Sequence, residues 1–456
     1  MKKTAIIAAA LCMALSVSAS EKGGRKGDSP VKQEIKNHFA FYGFIRNFMS
    51  VDTRENKTGT GDLFYYLPLD ENKNIHGDDL NSSASFRFLS LTTRLGVDVS
   101  GYSIGNAKFG AKVETDFYAG LSGTSTSGSS INGTAQLRMR LAYMTIGWDN
   151  LEYGRHNKAS VALKMGQAWH PMAADQPHVT SLETGAPFNA FSRTPLIQAD
   201  ATFNKHVILS AAAIWQMQYL SQGPAGASAE YMKYSGVPEM YVGLSYKMDN
   251  GFLARAGASI LSIKPRRLGQ DNTGVTVKVS DRITTVNPYI YLQYTDKKFE
   301  VKAKTIYSQG GEHMNLMSGY GVTEKFNDGH WEYAPMQASS TWASASYGKK
   351  WQVMLMAGYI KNLGATKDLA NVAGVTDQSS IYFSANGFKN LNSMWRIIPT
   401  VAYNVGKFTV ALEYNITAAQ YGGVNGQYIL NARGLAKDDL HWVCNNRIQA
   451  MVRFSF

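Results

Sequence analysis

The chain has 456 residues, of which 12% are aromatic and 18% charged, and it contains 42 glycines. This composition favours a β-rich protein with many turns. The formal charge of +12 would suit nucleic acid, an acidic membrane surface or anionic solutes as partners. The export signal described next argues against nucleic acid.

The N-terminus has the three regions of an export signal. Lysines occupy positions 2–3, an apolar run covers 6–15, and small residues at 17–19 form a cleavage site. The run is about ten residues long, too short to cross a bilayer of roughly 30 Å as a helix. We therefore expect a signal peptide over 1–19 and a short periplasmic segment over 20–38.

The remainder of the chain, residues 39–456, is dominated by alternation of apolar and polar residues with a period of two. In the segment 108–118, one face carries Phe109, Ala111, Val113, Thr115 and Phe117, and the other carries Lys108, Lys112, Glu114 and Asp116. A strand with this pattern has one apolar and one wet wall. Since a soluble sandwich alternates too, the connections between strands are needed to decide the class.

Connections between the predicted strands are alternately long and short. The long ones lie near 52–85, 119–135, 169–195, 220–238, 265–284, 308–339, 362–393 and 418–442, and the short ones near 101–107, 149–159, 204–206, 249–251, 295–298, 348–350 and 404–406. This asymmetry is typical of membrane barrels. We predict an all-β fold, a sixteen-stranded antiparallel transmembrane β-barrel in the outer membrane, with long extracellular loops, short periplasmic turns and both termini periplasmic. Pro288 and Pro399 fall in strands 10 and 14, where we expect bulges or strand ends.

The last ten residues, RIQAMVRFSF, form an alternating strand that ends on the aromatic Phe456. Such a terminal strand resembles the signal read by the outer-membrane barrel assembly machinery. An ordinary amphipathic edge strand is the alternative, but a soluble sheet would rarely leave such an edge at the chain end.

Parity along the strands assigns the charged residues that face the lumen. For pore lining and anion selectivity we select Arg94, Lys108, Lys112, Arg138, Arg140, Lys302, Lys304, Arg447 and Arg453. With Lys164, Lys247, Arg255, Arg396 and Lys407, and against seven acidic residues, the surplus is about seven positive charges. A positive lining lowers the barrier for anions. The alternative is that these charges pair with one another and with loop carboxylates.

The third long connection, 169–195, contains four prolines and is a candidate constriction loop that folds into the lumen. Its candidate residues are His170, Asp175, His178, Glu183 and Arg193. The first three could bind a metal ion, but their spacing fits no strong metal signature, so we predict no metal and no cofactor.

Several segments resemble a known family: AFYGFIRNFMSVDTRE (40–55), LFYYLPLDEN (63–72), FRFLSLTTRLGVDVSG (86–101), KVETDFYAG (112–120), QLRMRLAYMTIG (136–147), GQAWHPM (166–172) and GAPFNAFSRTP (185–195). They look like the DcaP-type trimeric outer-membrane porins of Bacteroides-like Gram-negative bacteria. The resemblance implies a sixteen-stranded homotrimeric barrel that passes small, preferably anionic solutes such as dicarboxylates. The periplasmic coiled coil of some members is not expected here, because residues 20–38 include Pro30 and no heptad repeat.

The resulting prediction is a porin for passive diffusion of small hydrophilic solutes with anion preference, in contact with outer-membrane lipid and lipopolysaccharide. A receptor, adhesin or substrate-specific channel that acts through loops 52–85 and 308–339 is the alternative. An enzyme is not predicted, because Ser308 and His313 lack a supporting acid and a strained nucleophile turn.

Overall fold

A computed structural model describes residues 38–59, 63–118, 136–154, 156–374, 378–383 and 388–456. The expected signal peptide (1–19), most of the segment 20–38 and the connection 119–135 lie outside these residues. Among the helices that are described, none is long and apolar enough to cross a membrane.

Sixteen antiparallel strands form a closed barrel, as the alternation and the loop pattern predict. They are β1 (Phe39–Asp52), β2 (Ser85–Leu89 and Arg94–Ile104), β3 (Ala107–Tyr118), β4 (Gln136–Tyr153), β5 (Asn157–Trp169), β6 (Arg193–Phe203), β7 (Val207–Ile214), β8 (Glu239–Lys247), β9 (Phe252–Ile263), β10 (Ile283–Thr295), β11 (Phe299–Gln309), β12 (Trp331–Gly348), β13 (Trp351–Ala365), β14 (Leu391–Val405), β15 (Phe408–Tyr421) and β16 (His441–Ser455). Each strand pairs with the next. The barrel closes where β1 pairs with β16, from Phe44 opposite Ser455 to Asp52 opposite Arg447.

Among the described residues, the short turns and seven of the eight long connections occur where the sequence predicts them, and the eighth, 119–135, lies outside those residues. We name the long loops L1 (53–84), L2 (119–135), L3 (170–192), L4 (215–238), L5 (264–282), L6 (310–330), L7 (366–390) and L8 (422–440). They contain small elements: a hairpin of Asn56–Gly59 and Phe64–Pro68, a hairpin of Leu268–Gln270 and Thr276–Lys278, the strands Gly319–Lys325 and Ile381–Phe383, the helix α1 (Glu230–Lys233), and 3-10 turns at Pro171–Ala173 and Glu312–Met314.

The two faces of the wall differ as the period of two requires. In β10, Ile290 and Leu292 are exposed on the outside, whereas Tyr289 and Tyr291 are buried inside. Pro288 lies within this strand rather than at its end. Its missing N–H falls where pairing with β11 stops, one residue beyond Tyr289. Pro399 likewise lies inside β14, where the ladder to β15 is interrupted.

The interior of the barrel contains a packed apolar core that the inward-folded loops supply. Phe64 of L1 packs edge-on against Phe191 of L3, with ring centroids 5.0 Å apart. Phe188 of L3 and Met314 of L6 are fully buried in the same cluster. Three loops therefore fill much of the space inside the wall and determine where an opening remains.

Candidate functional site

Loop L3 crosses the barrel interior and is bonded to the wall on its far side. The buried Lys304 of β11 donates to Asn189 Oδ1 over 3.1 Å and also to the carbonyl of Met172. Ser340 of β12 donates to the carbonyl of Phe188 over 2.6 Å. Lys304, one of the predicted pore-lining cations, thus lies beneath the loop and anchors it.

The five residues predicted for the constriction loop, four in L3 and Arg193 at the start of β6, all contact side chains of the barrel or of L4. His170 Nε2 lies 3.1 Å from Glu239, Asp175 pairs with Arg255 at 2.5 Å, His178 with Glu300 at 2.7 Å, Glu183 with Arg396 at 3.7 Å, and Arg193 Nε donates to Gln218 over 3.0 Å. The three metal candidates therefore point to three different partners. Within the described part of the chain, no group of three His, Cys, Asp or Glu side chains could hold a metal ion.

Loop L1 also enters the lumen, which the sequence argument did not anticipate. The ring of Tyr65 lies between the guanidinium groups of Arg396 and Arg447, each 4.6 Å from the ring centroid. Arg396 Nη2 donates to the carbonyl of Tyr66 over 2.8 Å. The unbroken apolar run LFYYL at 63–67, which is fully buried, is the signal that could have indicated this insertion.

The predicted pore residue Arg447 belongs to the seam between β16 and β1. Its Nε and Nη2 donate to the two carboxylate oxygens of Asp52, each over 2.9 Å. Arg87 of β2 reaches the same carboxylate at 2.9 Å. Because Asp52 and Arg447 are fully buried, this bidentate pair joins three strands at the closure and does not face open lumen.

A cavity of about 250 Å³ remains between the wall and L3. Five arginines line it: Arg46, Arg94, Arg138, Arg140 and Arg193. The strands β1, β2, β4 and β6 supply them, and the lining also includes residues 179–182 and 184 of L3 and the rings of Phe64, Trp169, Phe191 and Tyr219. A second cavity of about 360 Å³ shares Arg138 and Arg193 and continues the space past Tyr66 of L1. We call this connected space the arginine passage.

Two carboxylates of β3 neutralise part of the arginine passage. Arg138 binds Asp116 through two hydrogen bonds of 2.9 and 3.0 Å. Arg140 bridges Glu114 at 2.8 Å and Asp116 at 2.7 Å, and Arg94 lies 3.5 Å from Glu114. Five guanidinium groups against two carboxylates leave a surplus of three positive charges.

The surplus is concentrated on Arg46 and Arg193, for which no carboxylate partner occurs among the described residues. Arg46 donates to the hydroxyl of Thr92 over 3.2 and 2.8 Å. Arg193 lies over the ring of Trp169 at 5.2 Å, and its buried Nη1 has no hydrogen-bond partner. Parity along β1 would have identified Arg46, which the sequence argument left out.

The other predicted pore residues lie away from this cavity. Lys112 pairs with Asp98 at 3.0 Å, Lys302 lies 3.6 Å from Glu300, Arg453 donates to Thr409 over 3.2 Å, and Lys108 pairs with Asp149 at 2.8 Å in an exposed position near the short turns. The structure therefore gathers Arg94, Arg138 and Arg140 at one place and disperses the rest. Many of the charges do pair, which is the alternative that the sequence left open.

A buried acid–histidine cluster connects the root of L3 with L6. His170 and His313 both direct Nε2 to the same oxygen of Glu239, at 3.1 and 3.0 Å. Next to His313 in L6, burial raises the pKa of Glu312 to about 7. Ser308, the nucleophile of the enzyme alternative, donates to the carbonyl of Ala338 and is not hydrogen-bonded to His313.

No protein-family profile and no curated protein sequence matches this chain. Solved structures do resemble it. The outer membrane channel DcaP of Acinetobacter baumannii is 15% identical with a TM-score of 0.60, over 92% of this chain and 97% of that one. Salmonella typhi OmpF in complex with daunomycin is 11% identical (TM-score 0.48, 92% and 97% covered). An anion-selective porin from Comamonas acidovorans is 10% identical (TM-score 0.48, 92% and 99% covered). At 15% identity the likeness to the DcaP structure shows the fold alone, a closed antiparallel β-barrel.

The buried Glu312 makes the stability of the protein depend on pH. Its pKa rises from 4.5 to about 7 on folding. The neutral form of Glu312 therefore stabilises the folded protein fully below pH 4.5, and this stabilisation is lost as the pH rises through about 7. The shift corresponds to at most roughly 3 kcal/mol. Burial lowers the pKa of His313, but the Glu239 carboxylate outweighs burial and the net shift is upward, which adds a change of the same sign.

We expect Glu312→Gln to flatten the difference in thermal unfolding midpoint between about pH 5 and about pH 8, measured in detergent. Glu324→Gln, an exposed carboxylate of the same loop, is the matched control and should leave that difference unchanged. An E312Q protein with the full wild-type pH dependence would contradict the assignment to Glu312.

Proposed function

We propose that the protein is an outer-membrane channel for small hydrophilic solutes with a preference for anions. The observation that carries the proposal is the surplus of guanidinium groups in the arginine passage, above all Arg46 and the unpartnered Nη1 of Arg193. Positive groups along a narrow aqueous path lower the energy of a passing anion and raise that of a cation. Forked guanidinium donors also match the geometry of carboxylates and phosphates.

A substrate-specific channel is the second candidate, and the packing of the interior favours it. L1, L3 and L6 form an apolar core inside the barrel and leave a passage flanked by Trp169 and Phe191. A barrel of sixteen strands without such loops encloses a wide aqueous channel. Saturation of solute flux at millimolar concentration would distinguish the specific channel from a general pore.

In the proposed orientation the long loops face outside and the short turns and both termini face the periplasm. An aromatic girdle near the short turns supports a membrane boundary there. The tilted rings of Trp351 and Tyr403 have centroids 4.6 Å apart, and Phe408 lies 4.7 Å from Phe454. Trp and Tyr prefer this interface because one end of the side chain is apolar and the other is wet.

We also propose a homotrimer that meets through the outer face of β1 and β2, in line with the resemblance to DcaP-type porins. Here the hydroxyl of Ser90 donates to Asn47 Oδ1 over 2.5 Å, between the exposed Ile45 and Met49 on the outer side of β1. A hydroxyl and an amide that face lipid are costly unless another protein surface covers them. Recognition of the last strand by the barrel assembly machinery stays a prediction.

The selectivity of the channel should follow the balance of charge in the arginine passage. Replacing Arg138 and Arg140 by glutamine leaves the two β3 carboxylates with fewer partners, so the anion-to-cation permeability ratio should fall roughly threefold or more. Glu114→Gln with Asp116→Asn should raise the ratio. Reversal potentials of single channels in salt gradients measure both changes.

Lys108→Gln is the matched control, because this cation is exposed at the short-turn end and paired with Asp149. It should shift the reversal potential little. Native gel mobility before and after heating establishes that each variant forms the barrel. An unchanged ratio in folded R138Q/R140Q protein would refute the proposed anion pathway.

The orientation can be tested with single cysteines in a Cys444→Ser background. Lys278→Cys in L5 should react with a membrane-impermeant maleimide on intact cells, whereas Lys298→Cys in a short turn should react only after the outer membrane is permeabilised. Both positions are exposed in the structure, so accessibility to the reagent reports the side of the membrane. The opposite labelling pattern would reverse the orientation.

The trimer surface can be tested with two matched double substitutions. Asn47→Val with Ser90→Val should abolish the trimer in native mass spectrometry. The substitutions remove the polar groups that are costly in lipid, and with them the reason for another subunit to cover this face. Thr305→Val with Thr341→Val removes another hydroxyl pair on the exposed wall, 2.9 Å apart on β11 and β12, and should leave the trimer intact. A trimer that survives the first substitution places the interface elsewhere.

A further inference from the structure

A cluster of cations lies on the outer wall at the long-loop end of β9 and β10. It consists of Lys233, Lys264, Arg267 and Arg282, which we call the rim patch. The arginine passage does not include it. Lys233 belongs to L4 and the other three residues belong to L5.

Three of the cationic groups and the backbone of Lys264 contact one short segment of L4. Arg282 Nη2 donates to the carbonyl of Ser235 over 2.7 Å. Arg267 lies over the ring of the adjacent Tyr234 at 4.0 Å, and Lys233 lies 5.1 Å from the same ring. The backbone N–H of Lys264 donates to the carbonyl of Tyr231 in helix α1 over 2.9 Å.

Their position relative to the wall is set by the alternation of β9. Leu261 and Ile263 are buried, so Ser262 and Lys264 share the opposite face with the exposed Ile260. Arg282 Nη1 donates to Ser262 Oγ over 2.9 Å, which places its head on that outer face. Ser262 Oγ is also 3.0 Å from Thr284 Oγ1 of β10.

An apolar surface lies next to these polar groups, on the side toward the short turns. Ile260 and Val286 are exposed on the same outer face, where acyl chains of a bilayer would contact the wall. Hydroxyl groups and then cations follow toward the long-loop end. The order along the wall, from apolar side chains to hydroxyls to cations, matches the order of acyl chain, linkage and phosphate in an anionic lipid.

The charge of the rim patch is largely uncompensated. No carboxylate among the described residues forms an ion pair with Lys264, Arg267 or Arg282, and only Lys233 has one, Glu230 at 3.3 Å. The nearby Asp281 is occupied by Arg266 at 2.7 Å and His330 at 2.6 Å. Three or more positive charges therefore remain for an external ligand.

We propose that the rim patch binds the phosphate groups of an outer-leaflet glycolipid, with its acyl chains on the outer face of β9 and β10. This inference rests on the proposed outward orientation of the long loops. The fit is to a bisphosphorylated lipid, because Arg282 and Arg267 supply forked donors near Tyr234 and Ser235 while Lys264 adds a third charge. The sequence predicts only a general contact with membrane lipid; the structure assigns it to one site.

The test measures binding of purified bisphosphorylated lipid A to the full-length protein in detergent by native mass spectrometry. Wild type should bind it at least about tenfold more tightly than the Arg267→Glu with Arg282→Glu variant, since the substitutions reverse two of the charges that attract the phosphates. Monophosphoryl lipid A should bind wild type more weakly than the bisphosphorylated form.

The matched control is Lys297→Glu with Lys298→Glu, the same charge change on two exposed lysines of a short turn. It should leave lipid A binding at the wild-type level. An equal loss in this control, or wild-type binding that is indifferent to the number of phosphates, overturns the site. The R267E/R282E protein should keep its conductance and selectivity, so failure of the channel proposal and failure of the lipid site appear in separate measurements.

Discussion

The barrel depends on the pairing of its first strand with its last. Backbone N–H and C=O groups without partners are too costly in hydrocarbon, so a sheet that spans a membrane has to close on itself. Here nine residue pairs from Phe44–Ser455 to Asp52–Arg447 close it. At the long-loop end of that seam, the carboxylate of Asp52 forms ion pairs with Arg447 and Arg87. In the closed barrel, alternate side chains of each strand point to the outside and to the lumen, the apolar ones outward and the charged ones inward.

Inside the wall, arginines serve two different purposes according to whether a loop covers them. Arg396 and Arg447 are sealed beneath L1, where they hold Tyr65 between them and donate to loop carbonyls or wall carboxylates. Arg46 and Arg193 border space that no loop fills. The inward-folded loops therefore separate the arginines of the wall into two groups, those that anchor a loop and those that solutes can reach.

The sequence alone predicts the strand number, the closure and the alternation of long and short connections, because each of these follows from local periodicity. The lining of the passage is predicted less completely. Parity selects Arg94, Arg138 and Arg140, but Lys304 is covered by L3, and Arg447 is covered by L1 and paired with Asp52. Which residues a loop covers depends on contacts between distant segments, such as Ser340 with Phe188. No local pattern records those contacts, and the insertion of L1 was missed for the same reason.

The attachment of L3 to the wall also determines how the loop responds to an electric field. Its two carboxylates, Asp175 and Glu183, face Arg255 and Arg396 on the wall. Separating a buried ion pair costs about 3–5 kcal/mol, whereas 100 mV acting on one charge that crosses the whole membrane supplies roughly 2.3 kcal/mol. A loop charge that moves a fraction of that distance gains less still. Ordinary membrane voltages are therefore too weak to detach L3 from the wall. Conductance through the passage should accordingly be ohmic and not voltage-gated.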